Sequence, residues 1–240
     1  MTTQPLLELE AVTLSYDGVA AVRDLSLSLH PGEVLALLGP NGAGKSSTLN
    51  ACAGFLSTSA GEIRLDGRSI AGRPAHVLSR RGVRHVPEGR GIFHGLTVNE
   101  HFRLAGRGAD AEQALHYFPK LADLGGRRAG LLSGGEQQML ALATALSLRP
   151  RLLLIDELSL GLAPIIVQSL MPIVRSFADQ EGCAVILVEQ HVHLALEVAD
   201  RAVVLAHGEV VLEGEAASLI ENRDLIMASY LGQSELDDIR

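Results

Sequence analysis

A glycine-rich segment in the first quarter of the chain has the residue types and the spacing that bind phosphate. Residues 39–46 read Gly-Pro-Asn-Gly-Ala-Gly-Lys-Ser and match the pattern GxxxxGKS/T in full. Glycines let backbone N–H groups curl around phosphate oxygens, and the N-terminus of a following helix adds partial positive charge. We expect Lys45 to reach the β- and γ-phosphates of ATP and the Ser46 hydroxyl to coordinate Mg²⁺. The residues expected around the phosphates are Gly39, Pro40, Asn41, Gly42, Ala43, Gly44, Lys45, Ser46 and Ser47. The alternative is a glycine-rich turn that only links a strand to a helix.

Two adjacent carboxylates end an apolar run later in the chain. Residues 152–155 read Leu-Leu-Leu-Ile, and Asp156 and Glu157 follow directly. Asp156 is expected to hold Mg²⁺, directly or through water, and Glu157 is the expected catalytic residue that polarises the attacking water. By itself the segment could be an ordinary strand that ends in two solvated acids. The phosphate-binding segment upstream favours a nucleotide site.

A third segment combines a hydroxyl with glycines at the start of a predicted helix, which is an arrangement that binds anions. Residues 132–137 read Leu-Ser-Gly-Gly-Glu-Gln, and they also predict a capping box in which Ser133 is the N-cap and Glu136 its partner. The segment resembles the LSGGQ signature of ABC ATPases, and it precedes the carboxylate strand as it does in that family. The resemblance implies a composite site in which one chain caps the γ-phosphate bound by the opposite chain. The residues assigned to this cap are Ser133, Gly134, Gly135 and Glu136.

The same resemblance assigns roles to residues outside these segments. Tyr16 stands where the family has an aromatic side chain that stacks on adenine, although a surface tyrosine at a strand end is the alternative. Glu88 stands where most ABC ATPases have a Gln in the loop that joins the core to a helical lobe. Gln190, the second expected catalytic residue, replaces the usual switch His, and it can donate a hydrogen bond but cannot titrate as His could. Leu158 replaces the usual Pro, and residues 159–162 follow where the family has a loop that contacts the second subunit.

Several short matches narrow the resemblance to the ATP-binding subunits of branched-chain amino-acid importers, and urea and amide importers share them. The matching segments are residues 86–90, 96–100, 160–164, 187–190 and 229–232. The resemblance implies ATP hydrolysis that drives import of a small polar solute, at the cytoplasmic side of the membrane and without spanning it. It implies three partners: a second ABC ATPase subunit, either a copy or a paralogue; transmembrane permease subunits; and, indirectly, an extracytoplasmic solute-binding protein.

Two other functions fit parts of the pattern. The ATPase of lipopolysaccharide export also resembles the chain, including its C-terminus, but residues 86–90 (Val-Pro-Glu-Gly-Arg) favour import. Soluble ABC ATPases that act on nucleic acid or the ribosome carry two ATPase halves or a long coiled-coil insertion, and this sequence contains neither.

Composition and charge also limit the class of protein. The 240 residues are 47% hydrophobic and 20% charged, with 3% aromatics and no Trp, so we expect a globular protein with an aliphatic core. The formal net charge of -8 argues against a nucleic acid partner, because duplex binding usually requires a basic surface. No stretch approaches the ~20 apolar residues that cross a bilayer. Cys52 and Cys183 have apolar neighbours and are expected to be buried, reduced thiols.

The elements that must position these residues are predicted from periodicity. Continuous apolar runs predict buried strands at residues 34–38, 152–155 and 184–188, and the helical pattern over 165–179 makes the last two a parallel βαβ unit. With the family resemblance, we expect an α/β fold of the P-loop NTPase and ABC ATPase type. It would be a single domain, 1–240, with a mainly parallel core sheet and an N-terminal antiparallel β part in residues 1–88 and 149–240. An inserted helical lobe would occupy residues 89–148.

Within this lobe we expect a surface for the permease close to Glu88. The segment 93–102 carries Phe93, Leu96, Val98 and Phe102, and an exposed apolar cluster beside a loop would suit docking of a helix. The alternative is that these side chains fill the core of the lobe itself.

Overall fold

The computed structural model describes residues 4–106, 108–221 and 226, in which strands and helices alternate along most of the chain. The strands are β1 (Leu7–Tyr16), β2 (Val19–Leu29), β3 (Val34–Leu38), β4 (Ala60–Leu65), β5 (Arg68–Ser69), β6 (Val83–Val86), β7 (Leu152–Asp156), β8 (Ala184–Val188), β9 (Arg201–Ala206) and β10 (Glu209–Glu215). The helices are α1 (Lys45–Cys52), α2 (Ala75–Arg80), α3 (Val98–Ala105), α4 (Ala111–Tyr117), α5 (Gly134–Leu146), α6 (Pro164–Glu181), α7 (Val192–Val198) and α8 (Ala216–Glu221). Short 3-10 turns lie at Pro119–Leu121 and Ala129–Leu131. The predicted similarity at residues 229–232 lies outside the described residues.

The larger sheet is mainly parallel, which confirms the predicted fold class. Its strand order is β10-β9-β3-β8-β7-β6, and only β10 runs antiparallel to its neighbour. Every residue of β3, β7 and β8 is buried, as expected for strands covered on both faces. The predicted βαβ unit is β7-α6-β8, and its two strands are parallel neighbours. Their carboxyl ends therefore meet at one edge of the sheet.

The smaller sheet is antiparallel and has the order β2-β1-β4-β5, as predicted for the N-terminal part. The strict alternation of residues 25–29 (Leu-Ser-Leu-Ser-Leu) predicts a strand over the second half of β2, whereas residues 19–24 lack such alternation. The irregularity is visible in the structure: the register between β1 and β2 shifts at Val12 and Leu14, and Asp24 has a left-handed backbone (φ 49°).

The core is aliphatic and lies on both faces of the larger sheet. Successive residues of β3 alternate between the faces, so Ala36 packs with the cluster that contains α5 and α6, whereas Leu37 packs with the cluster that contains α1 and β1. Cys52 and Cys183 are buried as predicted, and burial raises the pKa of each thiol to about 12. None of the helices in the described ranges is both long enough and apolar enough to cross a membrane.

Candidate nucleotide-binding site

Four segments with predicted functions follow four neighbouring parallel strands at the carboxyl edge of the sheet. The phosphate-binding segment follows β3, the carboxylates end β7, Gln190 follows β8, and Glu88 follows β6. Crevices at the carboxyl ends of parallel strands are where open α/β sheets bind ligands. The topology therefore explains why residues distant in sequence gather at one place.

Two glycines give the phosphate-binding loop its shape. Gly44 caps α1 with φ 101°, and a Cβ at this position would lie 2.5 Å from Cγ2 of Val22 and 2.6 Å from the carbonyl oxygen of Ala21. Gly39 has φ 143°, and its Cβ would lie 2.1 Å from the carbonyl oxygen of Leu205 in β9. Only glycine fits such contacts and backbone angles, so the loop is packed directly against two neighbouring strands.

Lys45 is buried inside this loop. Its Nζ donates hydrogen bonds to the carbonyl oxygens of Gly39 (2.8 Å) and Pro40 (2.9 Å). Burial lowers the pKa of Lys45, while the carboxylates of Glu157 and Asp156 act in the opposite direction. The ammonium group therefore has neutral acceptors as hydrogen-bond partners, and a phosphate would supply a nearby opposite charge.

The first carboxylate at the end of β7 faces the start of α1. Asp156 is buried, and its Oδ1 accepts a hydrogen bond from Ser46 Oγ at 3.1 Å. Burial raises the pKa of Asp156, the Ser46 hydrogen bond lowers it, and the charges of Glu157 and Glu88 raise it further. Two oxygen ligands at this separation suit a hard cation such as Mg²⁺.

The second carboxylate is held in an unusual backbone conformation. Glu157 has φ 50°, in the left-handed region that costs a non-glycine residue roughly 1–2 kcal/mol. Its backbone N–H donates to the carbonyl oxygen of Val188 at 3.0 Å, and its Oε1 accepts a hydrogen bond from Gln190 Nε2 at 2.9 Å. The same Nε2 lies 3.4 Å from Oδ1 of Asn41, so the loops after β3, β7 and β8 meet here.

A pocket of about 410 Å³ connects these groups. Its lining residues are Ala21, Asn41, Gly42, Gly44, Lys45, Ser46, Ser47, Glu88, Glu157, Leu160 and Gln190. The other predicted residues belong to the same loop or to the end of β7 but do not line the pocket: Gly39, Pro40, Ala43 and Asp156. A larger pocket of about 710 Å³ lies elsewhere, near Phe55 and Pro87, and contains none of the phosphate-binding loop. The chemical groups in the smaller pocket make it the candidate site.

Two predicted parts of the site do not line this pocket. Tyr16, at the end of β1, is exposed, and its side chain makes no hydrogen bond or ring contact with the described residues. Residues 133–136 lie at the start of α5, where the predicted capping box is present: Ser133 Oγ accepts from the Glu136 N–H (3.3 Å) and Glu136 Oε2 accepts from the Ser133 N–H (2.9 Å). Lys120 Nζ lies 2.9 Å from Glu136 Oε1. This ion pair and the hydrogen bonds with Ser133 lower the pKa of Glu136 to about 2.

The predicted docking segment 93–102 is only partly on the surface. Val98 is 0% exposed and Phe102 7% exposed, and both belong to the main hydrophobic core. They stand four residues apart, so both face inward from the same side of α3. Phe93 is exposed and Leu96 half-buried. The expectation that all four side chains form a docking surface is therefore wrong for Val98 and Phe102.

Sequence reasoning missed a buried cluster beside the site. Glu189 is fully buried and bonded to Ser159, which also lies 3.1 Å from Nδ1 of His191. Burial raises the pKa of Glu189, and the Ser159 hydrogen bonds and His191 act in the opposite direction. The only signal in the sequence is an acid directly after the apolar run 184–188. A second missed contact joins Arg90 Nη1 to Oε1 of Gln137 at 2.5 Å.

Comparison with known proteins agrees with these features. Residues 22–159 match the ABC transporter family (ABC_tran). The chain is 40% identical over 234 residues to the high-affinity branched-chain amino acid transport ATP-binding protein BraG of Pseudomonas aeruginosa, covering 95% of this chain and 100% of that protein. It is 31% identical to the lipopolysaccharide export system ATP-binding protein LptB of Escherichia coli K12, covering 91% and 94% of the two chains.

A solved structure of an ATP-binding subunit of an ABC transporter superposes with a TM-score of 0.79 at 27% identity, over 92% of this chain and 94% of that one. The family match covers more than half of the chain, and the similarity to BraG extends over 95% of it. The fold, the order of the motifs and these relatives lead to one conclusion: the chain belongs to the ABC transporter family, in which it is an ATP-binding subunit that hydrolyses ATP.

Proposed function

We propose that this subunit hydrolyses ATP to drive import of branched-chain amino acids. The observation that supports the ATPase part is the pocket that joins the phosphate-binding loop to Glu157 and Gln190. The solute is supported by the 40% identity to BraG over 95% of the chain, together with residues 86–90, which resemble this importer group. The lower identity to LptB makes lipopolysaccharide export the weaker candidate.

In this proposal the residues of the loop position the phosphates, and Tyr16 packs on the adenine. Lys45 leaves its two carbonyl partners for the β- and γ-phosphate oxygens, where its charge is stabilised. Ser46 and Asp156 would hold Mg²⁺, which supplies charge neutralisation at the phosphates. The described residues include no group of three or more His, Cys, Asp or Glu that could hold a metal alone, in keeping with an ion bound mainly by phosphate and water.

Glu157 and Gln190 act on the attacking water. Glu157 accepts the proton of the water, and the Gln190 amide, 2.9 Å from Oε1, keeps the carboxylate oriented. Gln190 contributes orientation alone, since an amide does not titrate. Glu88 lines the pocket and would sense the γ-phosphate.

The subunit works as a pair with a second ABC ATPase subunit, which is either a copy or a paralogue. Residues 133–136 do not line the pocket of their own chain within the described residues, so they are available to an opposite chain. The N-terminus of α5 presents backbone N–H groups and the Ser133 hydroxyl, which together bind an anion. These groups would cap the γ-phosphate of the opposite subunit.

We also propose the groove near Phe55 as the permease contact, in place of the segment 93–102. The groove holds about 710 Å³, and Phe55 at its edge is 66% exposed. Pro87 and Gly91 line it, and Glu88 lies between them, so a helix seated here touches the loop that reaches the nucleotide. Residues 89–148 would form the helical lobe that transmits movement between the nucleotide and the permease, and residues 1–88 and 149–240 would form the core. The assembly would lie at the cytoplasmic face of the membrane.

Deletion of the gene, followed by measurement of solute uptake in whole cells, tests the proposed solute. Leucine uptake should fall and return with the wild-type gene but not with Lys45→Ala, whereas urea uptake should be unchanged. Lys45→Ala removes the charge on the phosphates and should leave no measurable turnover of ATP. If urea uptake is lost while leucine uptake stays normal, the transported solute is urea rather than a branched-chain amino acid. ATP turnover by purified Lys45→Ala within about twofold of wild type would refute the assigned phosphate site.

A further inference from the structure

One buried charged side chain beside the site has no part in the function proposed so far. Glu189 follows β8 directly, precedes Gln190 in sequence, and is 0% exposed. A buried carboxylate requires hydrogen-bond donors, and both of its oxygens find them on the same residue. Oε1 accepts from the backbone N–H of Ser159 at 3.0 Å, and Oε2 accepts from the Ser159 hydroxyl at 2.6 Å. The carboxylate therefore fixes one loop residue at two points.

Proton counting fixes the rest of this cluster. The Ser159 hydroxyl has a single hydrogen, and an ionised Glu189 can only accept it. The short distance of 2.6 Å is typical of a hydroxyl that donates to a carboxylate. Ser159 Oγ lies 3.1 Å from His191 Nδ1, and with its own hydrogen given to Glu189 it accepts a hydrogen bond from the tautomer that carries a hydrogen on Nδ1. In that tautomer the hydrogen bonds run from His191 through Ser159 to Glu189.

The cluster joins the two segments that hold the proposed catalytic residues. Ser159 stands two residues after Glu157, and Glu189 stands directly before Gln190. The loop after β7 is thus anchored to the end of β8 twice: by the Glu157 N–H on the Val188 carbonyl at 3.0 Å, and by Glu189 on Ser159. The 2.9 Å contact between Glu157 and Gln190 bridges the same two segments at the pocket.

The left-handed backbone of Glu157 gives this second anchor a physical role. A residue with φ 50° turns the chain away from the direction of β7, and such a conformation persists only where the surroundings determine it. The anchor on Val188 fixes the start of the turn, and the anchor on Glu189 fixes the chain two residues later. Without the second anchor the loop could relax and carry the Glu157 carboxylate away from Gln190.

We propose that Glu189 is a positioning residue for ATP hydrolysis, which through Ser159 holds the loop 157–162 so that Glu157 and Gln190 face the same point of the pocket. The inference rests on the roles proposed above for Glu157 and Gln190. It assigns Glu189 an effect on the rate of the chemical step rather than on nucleotide binding, because the phosphate-binding loop belongs to other segments.

Steady-state ATP hydrolysis by the full chain tests this proposal. Glu189→Gln keeps the side-chain shape but turns one acceptor into a donor, and Ser159→Ala removes only the hydroxyl. We expect Glu189→Gln to lower kcat by about tenfold or more, since small misplacements of reacting groups cost up to about 10²-fold, with the KM for ATP within about twofold. Ser159→Ala should lower kcat less, because the backbone contact remains. The double variant should be no slower than Glu189→Gln, since both act on one contact.

The matched control is Glu209→Gln, which makes the same chemical change on an exposed strand residue and should leave kcat and KM unchanged. A lowered melting temperature of Glu189→Gln with unchanged kcat would overturn the proposal, as would multiplicative effects in the double variant. If Glu189→Gln does not fold, Ser159→Ala and Glu189→Asp carry the same comparison of kcat and KM. The Lys45→Ala variant distinguishes failure of this inference from failure of the proposed function. ATP hydrolysis by Lys45→Ala would contradict the proposed function. If Lys45→Ala is inactive and Glu189→Gln is fully active, only the inference about Glu189 is contradicted.

Discussion

Replacing Glu157 by Gln separates the fold of the site from its chemistry. The amide oxygen can still accept the hydrogen bond that Gln190 Nε2 makes to Oε1 at 2.9 Å, so the side chain keeps its place. A charged hydrogen bond worth about 1.5–3 kcal/mol becomes a neutral one of about 0.5–1.5, and the difference, about 1 kcal/mol, bounds the loss of stability. The backbone contact to Val188 is unaffected, because the N–H group donates it.

The expected loss is in the chemical step. An amide cannot accept the proton of the attacking water, and removal of a general base typically lowers the rate by about 10²–10⁴-fold. At 1.36 kcal/mol per factor of ten, this corresponds to about 3–5 kcal/mol in the barrier. ATP affinity should be retained or increased, because one negative charge near the phosphates disappears.

Single-turnover hydrolysis of ATP and equilibrium nucleotide binding measure the two effects separately. The assembled transporter is the better sample, since a weak pair of ATPase subunits can depend on the permease, and Glu209→Gln serves as the control. The variant should also accumulate an ATP-bound closed pair. Hydrolysis within about threefold of wild type would refute the assignment of Glu157 as general base. Loss of ATP binding would show instead that the carboxylate is needed for the structure of the pocket.

Gly44→Ala places a Cβ 2.5 Å from a neighbouring side chain at φ 101° and should lower the free energy of unfolding by about 2–3 kcal/mol, while Gly126→Ala, with nothing within 4 Å, should change it little in the same denaturation experiment. The pKa of Glu136, about 2 against an ordinary 4.5, is depressed, so its contribution to stability is present above about pH 4.5 and is lost as the pH falls toward 2. Lys120→Met should raise that pKa and move the acid-induced loss, followed by melting temperature, to higher pH; an unchanged profile contradicts the ion pair. Phe55→Asp should leave folding and the ATPase of the free subunit intact, because the side chain is 66% exposed, and abolish co-purification with the permease. Co-purification at the wild-type level would place the contact elsewhere.

Sequence reasoning succeeded where the determinants are local. Strands β3 and β8 were predicted with their observed bounds, because five consecutive apolar residues between polar or glycine-containing loops leave little choice. The capping box at Ser133 is likewise a contiguous pattern, and the structure confirms it. The first half of β2 was missed because bulges break its alternation, and α2 because six residues carry too little periodicity.

It failed where contacts join distant segments. Glu189 and Ser159 are thirty positions apart, and no residue pattern near either of them predicts their contact. Val98 and Phe102 were wrongly assigned to the docking surface because both are apolar, although their spacing of four places them on the inward face of α3. Which face of a short helix is buried depends on its neighbours, here the core beneath α3, and not on the helix alone.

The left-handed backbone at Glu157 also bears on how this position can change as sequences diverge. Asparagine and glycine occupy the left-handed region at lower cost than glutamate does, so folding alone would favour them. Selection for a proton acceptor at the end of β7 must therefore retain a residue that selection for conformational stability would remove. Relatives that no longer need to hydrolyse ATP, such as an inactive subunit paired with an active paralogue, should lose the glutamate at this position early. They should gain thermal stability as they do so.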